Sequence, residues 1–256
     1  MNLSLITVCY NCADALSRTL QSVLEQSEAP AEYIIIDGGS RDGTPELLQA
    51  YEPLFGNRLR RISEQDQGIY DAMNKGLALA AGEIVGFLNA DDVFRHQDVL
   101  ATIRRSFMEH PETDAVHANL EFINQSGHVV RKWCGCDYFK GAFRMGWMPA
   151  HPTFYCRKRC FEQYGGFDCA AGSAADFELM LRFIEKHRIR TKFIPESLIL
   201  MRIGGLSTSG LSAVLRNGML NVRAFRKNGI PCPWHYPLSR FLSKFSLFSA
   251  FNHENH

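Results

Sequence analysis

Two adjacent carboxylates, Asp91 and Asp92, follow directly on an apolar segment in the stretch GEIVGFLNADDVF at residues 82–94. Residues 84–88 have almost no polar alternation, which is typical of a buried strand. Two like charges at the end of such a strand repel each other and gain nothing from burial. A turn needs only one acidic residue, so we interpret the pair as a site for a cation or a hydrogen-bonding ligand.

The first 90 residues alternate between apolar strands and amphipathic helices. Four strands are predicted, in LSLITVCYN, EYIIIDGGS, RLRRISE and EIVGFL, and three helices separate them. Continuous apolar strands in this alternating order are typical of a parallel sheet that is covered by helices on both faces. We therefore expect an α/β fold with a Rossmann-like, mostly parallel central sheet.

Polar residues follow each of the four predicted strands: Tyr10-Asn11, Asp37 to Ser40, Glu64 to Gln67, and Asn89 to Asp92. Ligands of open parallel sheets bind beyond the carboxyl ends of the strands. Loop aspartates also cap helices and turns, and we accept that role for Asp42 and Asp98. The four polar strand ends together predict one binding site at this edge of the sheet.

The second half of the chain is less regular. A hairpin is predicted at 113–134 around a Ser-Gly turn, a strand at 153–156, and a short helix near 157–164. AADFELMLRFIEKH and SAVLRNGMLNVRAFRKNG have the helical period, whereas RTKFIPESLILMRI is strand-like. The chain therefore reads as one large domain with a helical tail.

The charge balance argues against a general nucleic-acid-binding protein. The chain has 28 Lys and Arg against 27 Asp and Glu, a formal net charge of +1, whereas such proteins usually have a clear basic excess. No apolar run approaches the length that spans a bilayer. The opening residues lack the basic segment and cleavage site of a signal peptide, so we expect a cytoplasmic protein.

The eight cysteines are expected to be reduced thiols that pack as small apolar side chains. Cys9 and Cys12 have the spacing of half a structural zinc site. The other cysteines do not supply a second half with helpful spacing or histidines. A zinc site is therefore the less favoured interpretation.

Four longer motifs occur within residues 1–205: TVCYN at 7–11, IIIDGGSRDGT at 34–44, DQGIYDAMNKGLALAAGEIVGFLNADD at 66–92, and GGFDCAAGSAADFELMLRF at 165–183. Together they resemble glycosyltransferase family 2, inverting enzymes of the GT-A fold. The third motif is most similar to the branch that builds bacterial exopolysaccharides, including colanic-acid-type enzymes. The resemblance implies a nucleotide-binding half at 1–95, an acceptor-side half at 96–205, and a helical extension at 206–256.

The resemblance also implies sugar transfer from a nucleotide-diphosphosugar to a hydroxyl acceptor. Asn89, Asp91 and Asp92 match the family's D-x-D-type motif, whose last Asp binds a divalent metal, Mg²⁺ or Mn²⁺. By this match Asp92 is a metal ligand, and Asp91 contacts the ribose or the metal through its water. The metal would balance the charge that develops on the departing diphosphate.

Asp176 matches the Asp of the family's Glu-Asp pair, which removes the proton of the acceptor hydroxyl. The Glu of that pair is replaced here by Ala175. Asp176 near a helix start is also interpretable as a first-turn acid that the helix dipole favours. The surrounding GGFD and AADFELMLR context favours the base, whereas Asp168 more simply anchors its own turn.

Six further residues are candidates for binding the nucleotide-sugar: Thr7, Tyr10, Asp37, Asp66, Lys75 and His151. Asp37 is the only acidic residue in a turn where the family often has two, one of which contacts the nucleobase. Tyr10 either stacks on the base or forms an edge of the core. Lys75 either neutralises phosphate charge or is a solvated surface lysine. His151 has two interpretations: it contacts the diphosphate or the acceptor as a hydrogen-bond donor, or it packs beside Pro152.

The leading interpretation is a metal-dependent glycosyltransferase of bacterial surface polysaccharide synthesis, with a saccharide or lipid-linked saccharide as acceptor. A nucleotidyltransferase would need a Gly-rich basic loop after the first strand, and CYNCADAL offers none. A non-catalytic nucleotide-sugar-binding subunit would not need both Asp92 and Asp176. The tail HYPLSRFLSKFSLFSAF either lies on the inner face of the membrane, docks on the domain, or pairs with a second subunit in a homodimer.

Overall fold

The computed structural model of the chain describes residues 1–203, 211–234 and 236. In its first half four strands alternate with three α-helices: β1 (Leu3–Cys9), α1 (Ala13–Leu24), β2 (Glu32–Asp37), α2 (Thr44–Phe55), β3 (Leu59–Ser63), α3 (Ile69–Leu79) and β4 (Ile84–Phe87). The four strands are parallel, in the order β3-β2-β1-β4. The predicted alternation and the parallel arrangement are confirmed.

The second half of the described chain adds five strands and four α-helices: β5 (Val93–Phe94), α4 (Val99–Glu109), β6 (Ala115–Ile123), β7 (Val129–Trp133), β8 (Tyr155–Arg157), α5 (Lys158–Tyr164), α6 (Ala175–Met180), β9 (Thr191–Arg202) and α7 (Leu211–Lys227). The sheet continues from β4 in the order β8-β6-β9-β5, and β7 pairs with β6 as the predicted hairpin. β8 is antiparallel to both of its neighbours, whereas β6 and β9 are parallel. The central sheet is therefore mostly parallel, with antiparallel pairs in its second half.

Helices cover both faces of this sheet, because the central strands are apolar on both sides. In β1, Leu3 and Leu5 face a core shared with α1, α2 and α4, whereas Ile6 and Val8 face a core shared with α3, α5, α6 and α7. α3 lies so close to β1 that a Cβ atom at Gly76 would be 2.5 Å from Ile6 Cγ2. Glycine at this position therefore sets the distance of α3 from the sheet.

The strongly periodic segment AADFELMLRFIEKH is not one regular helix. It begins as α6 and continues as a π-helical turn over Leu181–Lys186. α7 packs on α6, with the rings of Phe225 and Phe177 5.7 Å apart. Part of the segment predicted as a C-terminal extension therefore shares a core with α6.

The eight cysteines, all within the described residues, are free thiols. Cys134, Cys136 and Cys169 are exposed, so the expectation that cysteines pack as buried apolar side chains is wrong for these three. Among the residues that the structure describes, no group of three or more His, Cys, Asp or Glu side chains could hold a metal ion. The pair Cys9 and Cys12 is therefore not part of such a cluster.

In the described ranges no helix has both the length and the apolar character needed to cross a membrane. The predicted amphipathic tail at 235–251 lies outside the described residues, apart from Tyr236. The ring of Tyr236 packs on Phe225 with 4.9 Å between the centroids. The chain is thus attached to α7 at the point where the tail begins.

Candidate active site

The loops that follow β1, β2 and β3 meet at the carboxyl end of the sheet, as the topology predicts. A Cβ atom placed on Gly38 would lie 3.2 Å from both Tyr10 Cδ2 and Asp66 Oδ2. The Tyr10 side chain is 63% exposed, so it lines an open cleft and is not an edge of the core. Tyr10 and Asp66 therefore form one surface, and the absence of a side chain at residue 38 makes room for it.

Lys75 on α3 holds Asp66 at this surface. Its Nζ lies 2.6 Å from Asp66 Oδ1, 2.8 Å from Glu64 Oε1 and 3.5 Å from Asp71 Oδ2. Hydrogen bonds with Asp66 and then with Glu64 raise the pKa of Lys75 above its usual value. Lys75 is thus paired with three carboxylates and is not a free surface lysine, and its contact with phosphate stays a prediction.

Asp37, the predicted nucleobase contact, points into the protein. Its side chain is fully buried, and its carboxylate accepts the Ser40 backbone N–H at 3.2 Å, the Ser40 hydroxyl, and the Ser63 hydroxyl at 2.5 Å. These hydrogen bonds attach the loop after β2 to the end of β3. The carboxylate that was predicted to contact the base is thus engaged with two serines, and its contact with the base stays a prediction; Gly38 is the residue of this turn that lies beside Tyr10 and Asp66.

Thr7 is also internal, with its side chain fully buried. Its Oγ1 donates to the Leu88 carbonyl at 2.6 Å and shares a hydrogen bond with the Tyr33 hydroxyl at 2.9 Å. Alternate residues of a strand face opposite sides of the sheet, and Thr7 lies on a covered side. Its role is to fix the end of β4, which leads into the two aspartates.

Among the residues that the structure describes, the Asp92 carboxylate has no hydrogen-bond partner for its buried Oδ2, and Asp92 is 3% exposed. Burial first, and the neighbouring charge of Asp91 second, raise the pKa of Asp92 to about 8. A divalent cation would supply the missing partner, so Asp92 fits the metal that the resemblance implies. Because the described residues hold no larger ligand cluster, phosphate and water oxygens would complete the coordination, as is common for Mg²⁺.

Asp91 faces two arginines. Its Oδ1 lies 2.6 Å from Arg18 Nη2 on α1 and 3.4 Å from Arg202 Nε at the end of β9. The backbone of Asp91 is left-handed, with a φ of 88°. In the same turn the Asp92 N–H donates to the carbonyl of Asn89 at 3.1 Å, and Asn89 is half-buried. The predicted contacts of Asp91 with ribose or metal would compete with these ion pairs, and the two arginines are suited to bind phosphate.

Asp176, the candidate base, begins α6 and lies beside residues from two other elements. Its carboxylate interacts electrostatically with the Tyr70 hydroxyl on α3 and with the ring of His151. Burial lowers the pKa of His151, and burial followed by the charge of Asp176 raises the pKa of Tyr70. Both neighbours are therefore uncharged at neutral pH.

Phe167 holds this group together. Its ring centroid lies 5.5 Å from that of Tyr70 and 5.7 Å from that of His151. Asn74 of α3 fixes the Phe167 backbone, donating to its carbonyl at 2.9 Å and accepting its N–H at 2.8 Å. A Cβ atom on Gly166 would lie 2.4 Å from Asn74 Oδ1, so this pairing depends on glycine there. The third and fourth motifs are thus joined through α3.

Three residues near the site were not identified from the sequence: Arg18, Tyr70 and Arg202. Tyr70 lies four residues before Asn74, which places both on one face of a predicted helix, but neither residue was a sequence-based candidate. Nothing in the spacing of the two arginines relates them to Asp91. Of the predicted residues, Asp176 lies near His151, and Tyr10 lies near Asp66. The side chains of Thr7 and Asp37 are buried.

The sheet, its two helical layers and the acidic strand end define a protein of the GT-A class. The mannosyltransferase PcManGT from Pyrobaculum calidifontis, solved with GDP-Man and Mn²⁺, matches with a TM-score of 0.66 at 19% identity, over 100% of this chain and 76% of its own. TarS from S. aureus, solved with UDP, matches with a TM-score of 0.65 at 18% identity, over 90% and 74%. These likenesses confirm the predicted fold.

The family model described as glycosyl transferase family 2 matches residues 4–164. A PGL/p-HBAD biosynthesis glycosyltransferase from Mycobacterium tuberculosis is 30% identical over 192 residues, which cover 75% of this chain and 73% of the relative. The chain therefore belongs to glycosyltransferase family 2 and is a glycosyltransferase. The family inferred from the four motifs is confirmed.

Proposed function

We propose that this enzyme is a metal-dependent, inverting glycosyltransferase that moves a sugar from a nucleotide-diphosphosugar to a hydroxyl of a saccharide or lipid-linked saccharide. The observation that carries the proposal is the Asp176 carboxylate beside Tyr70 and His151, joined through Phe167 to α3. Bacterial surface polysaccharide synthesis is the process that the third motif favours. A donor screen with mass-detected transfer to saccharide acceptors tests the proposal.

Asp176 is the proposed general base of this reaction. The acceptor oxygen forms a bond to the anomeric carbon, on the face opposite the diphosphate, while the bond from that carbon to the diphosphate oxygen breaks. The hydroxyl proton passes to the Asp176 carboxylate, and the electron pair leaves with the nucleoside diphosphate. A general base of this kind typically contributes about 10²–10⁴-fold to the rate.

Asp92 is the proposed principal protein ligand of Mg²⁺ or Mn²⁺, with Asp91 as the second carboxylate at the same turn. The bound ion would offset the negative charge that develops on the diphosphate. Arg18 and Arg202 bring two further positive charges to this turn. The Mn²⁺ in the PcManGT complex supports divalent-metal use within this fold.

Asp92→Asn is expected to abolish the effect of metal on nucleotide binding. In the wild-type enzyme Mn²⁺ should tighten UDP or GDP binding by about tenfold or more, because an ion held by Asp92 would offset the negative charge of the diphosphate. The variant should bind the nucleotide equally in Mn²⁺ and in chelator, as measured by isothermal titration calorimetry. Asp98→Asn, at the start of α4, is the control that should keep the metal effect, and a wild-type affinity unchanged by chelator would contradict the assignment.

Tyr10 and Asp66 are the proposed nucleobase contacts. The exposed Tyr10 ring offers a face on which any base can stack. Asp66 Oδ2 lies toward Gly38, beside Tyr10, while its Oδ1 is held by Lys75, and we propose that Oδ2 accepts a base N–H. The complexes of TarS with UDP and of PcManGT with GDP-Man support a nucleotide as the ligand of such a cleft.

Asp66→Ala is expected to weaken the binding of the preferred nucleoside diphosphate by about 1–3 kcal/mol, since a buried N–H of the base would lose its acceptor. Calorimetric titration with UDP and GDP measures the change and identifies the preferred base. Glu64→Ala is the matched control, because Glu64 also pairs with Lys75 but is exposed. Equal, small effects of the two substitutions would show that Asp66 serves only to hold Lys75.

A further inference from the structure

The turn that carries Asp91 and Asp92 is held from α1 by one buried hydroxyl. Thr19 Oγ1 accepts the backbone N–H of Asp91 at 3.0 Å and donates to the backbone carbonyl of Asp92 at 2.9 Å. Because Thr19 is fully buried, water does not compete for either hydrogen bond. A single side chain of the helix therefore fixes the backbone on both sides of the acidic pair.

Two further contacts from α1 support the same segment. Arg18 Nη2 lies 2.6 Å from Asp91 Oδ1, and Ser22 Oγ accepts the backbone N–H of Phe94 at 3.4 Å. Residues three apart lie on one face of a helix, so Thr19 and Ser22 reach the segment from the same side. The buried apolar face of α1 packs in the core beside β1 and β2, so the turn is joined to a firmly held helix.

The backbone of Asp91 needs such support. Its φ of 88° is a conformation that costs free energy for any residue with a side chain, and the carboxylates of Asp91 and Asp92 repel each other. Because Asp92 Oδ2 has no hydrogen-bond partner among the described residues, the direction of this carboxylate depends on its backbone. A turn that relaxed would therefore move the proposed metal ligand.

We propose that Thr19 is a positioning residue for the divalent metal, an inference that rests on the proposed role of Asp92 as its ligand. The Thr19 hydroxyl holds the left-handed turn, and the turn presents the Asp92 carboxylate to the ion. Since that hydroxyl is engaged by backbone groups as both donor and acceptor, Thr19 acts through Asp92 and is not itself a ligand. Loss of a residue that orients a metal ligand typically lowers metal affinity by about 10–100-fold.

Thr19→Val tests the proposal, because it keeps the shape of the side chain and removes the hydroxyl. Calorimetric titration with UDP and GDP over a series of Mn²⁺ concentrations gives the Mn²⁺ midpoint, the concentration that produces half of the gain in nucleotide affinity. We expect this midpoint to rise by about tenfold or more, while nucleotide affinity in chelator keeps its wild-type value. Thr19→Ser retains the hydroxyl and should keep the wild-type midpoint.

Thr153→Val is the matched control. Thr153 is also fully buried, and its Oγ1 likewise accepts a backbone N–H, that of Ala118 at 3.1 Å, and donates to a backbone carbonyl, that of Ala118 at 3.0 Å. Its variant should lose stability in urea unfolding as Thr19→Val does, because both changes leave buried backbone groups unpaired. The Mn²⁺ midpoint of Thr153→Val should nevertheless be that of the wild type.

A wild-type Mn²⁺ midpoint in Thr19→Val, or equal shifts in both valine variants, would overturn the positioning role and leave Asp92 as the ligand. Thr19→Ala is the second variant, and its midpoint is read in the same way if valine prevents folding. If Thr19→Ser folds but neither of the other two variants does, Thr19 is a residue of the core alone and the positioning role fails. Nucleotide binding that ignores Mn²⁺ in the wild-type enzyme would instead overturn the metal role of Asp92, and this inference with it.

Discussion

Replacing Asp176 with asparagine is expected to lower the rate of sugar transfer by about 10²-fold or more. The amide has nearly the same size and still accepts the Phe177 backbone N–H, but it cannot take up the acceptor proton. Donor affinity and melting temperature should keep their wild-type values, because the packing of α6 does not change. Mass-detected transfer measures the rate, and calorimetry with the nucleoside diphosphate measures donor-site binding.

Asp168→Asn is the control for this experiment, since it makes the same chemical change in the same segment. Asp168 accepts the Ala170 N–H at 3.3 Å and pairs with Lys227 Nζ at 2.6 Å. It anchors a turn as the sequence predicts, and its variant should transfer sugar normally. If Asp176→Asn transfers at close to the wild-type rate, Asp176 is only a helix-start acid, and the base must be sought at His151 or another carboxylate of the cleft.

Arg182→Ala is expected to reduce the free energy of unfolding by about 3–5 kcal/mol, the range for breaking a buried ion pair. Arg182 Nε lies 3.0 Å from Glu178 Oε1, and the Glu178 side chain is only 1% exposed. Without the guanidinium this buried carboxylate keeps Asn228 Nδ2, at 3.0 Å, as a neutral donor. Urea unfolding followed by circular dichroism measures the loss.

Arg182 also links stability to the site. Its guanidinium donates to the carbonyls of Tyr164, Gly165 and Gly166, directly before Phe167. The variant should therefore lose transfer activity even at temperatures where it is still folded. Arg159→Ala is the control, because Arg159 pairs with Asp114 at 2.6 Å but is 61% exposed, and such pairs contribute about 1 kcal/mol or less. Similar losses in both variants would contradict a buried, structural pair.

The fold could be predicted from the sequence where the determining contacts are local. β1, β2 and β4 are buried on both faces, so each is a continuous apolar run between turns. The π-helical turn at Leu181–Lys186 was not predictable, because its apolar period resembles that of an α-helix. The position of β8 beside β4 depends on Gly86, where a Cβ atom would lie 1.9 Å from the Tyr155 ring. Nothing in the order of residues relates these two positions.

The candidate site could be located from the sequence, but the direction of its side chains could not. Asp37 follows β2, so the sequence placed it at the carboxyl edge of the sheet, where the structure has it. As the only acidic residue of that turn, it was the candidate for the nucleobase contact. In the structure Asp37 turns inward to Ser40 and Ser63, whereas the neighbouring Gly38 faces the cleft. Tyr70 was missed for a related reason, because nothing in the sequence relates the start of α3 to Phe167, on which its ring packs.

The two-way hydrogen bond between Asn74 and the Phe167 backbone has an evolutionary consequence. Because a Cβ atom at Gly166 would lie 2.4 Å from Asn74 Oδ1, neither position can change alone without a clash or a loss of both hydrogen bonds. We expect these two distant positions to covary among homologues, with any side chain at 166 accompanied by a smaller residue at 74. In homologues where residues 74 and 166 have both changed, other contacts must attach the segment that leads to the proposed base to α3.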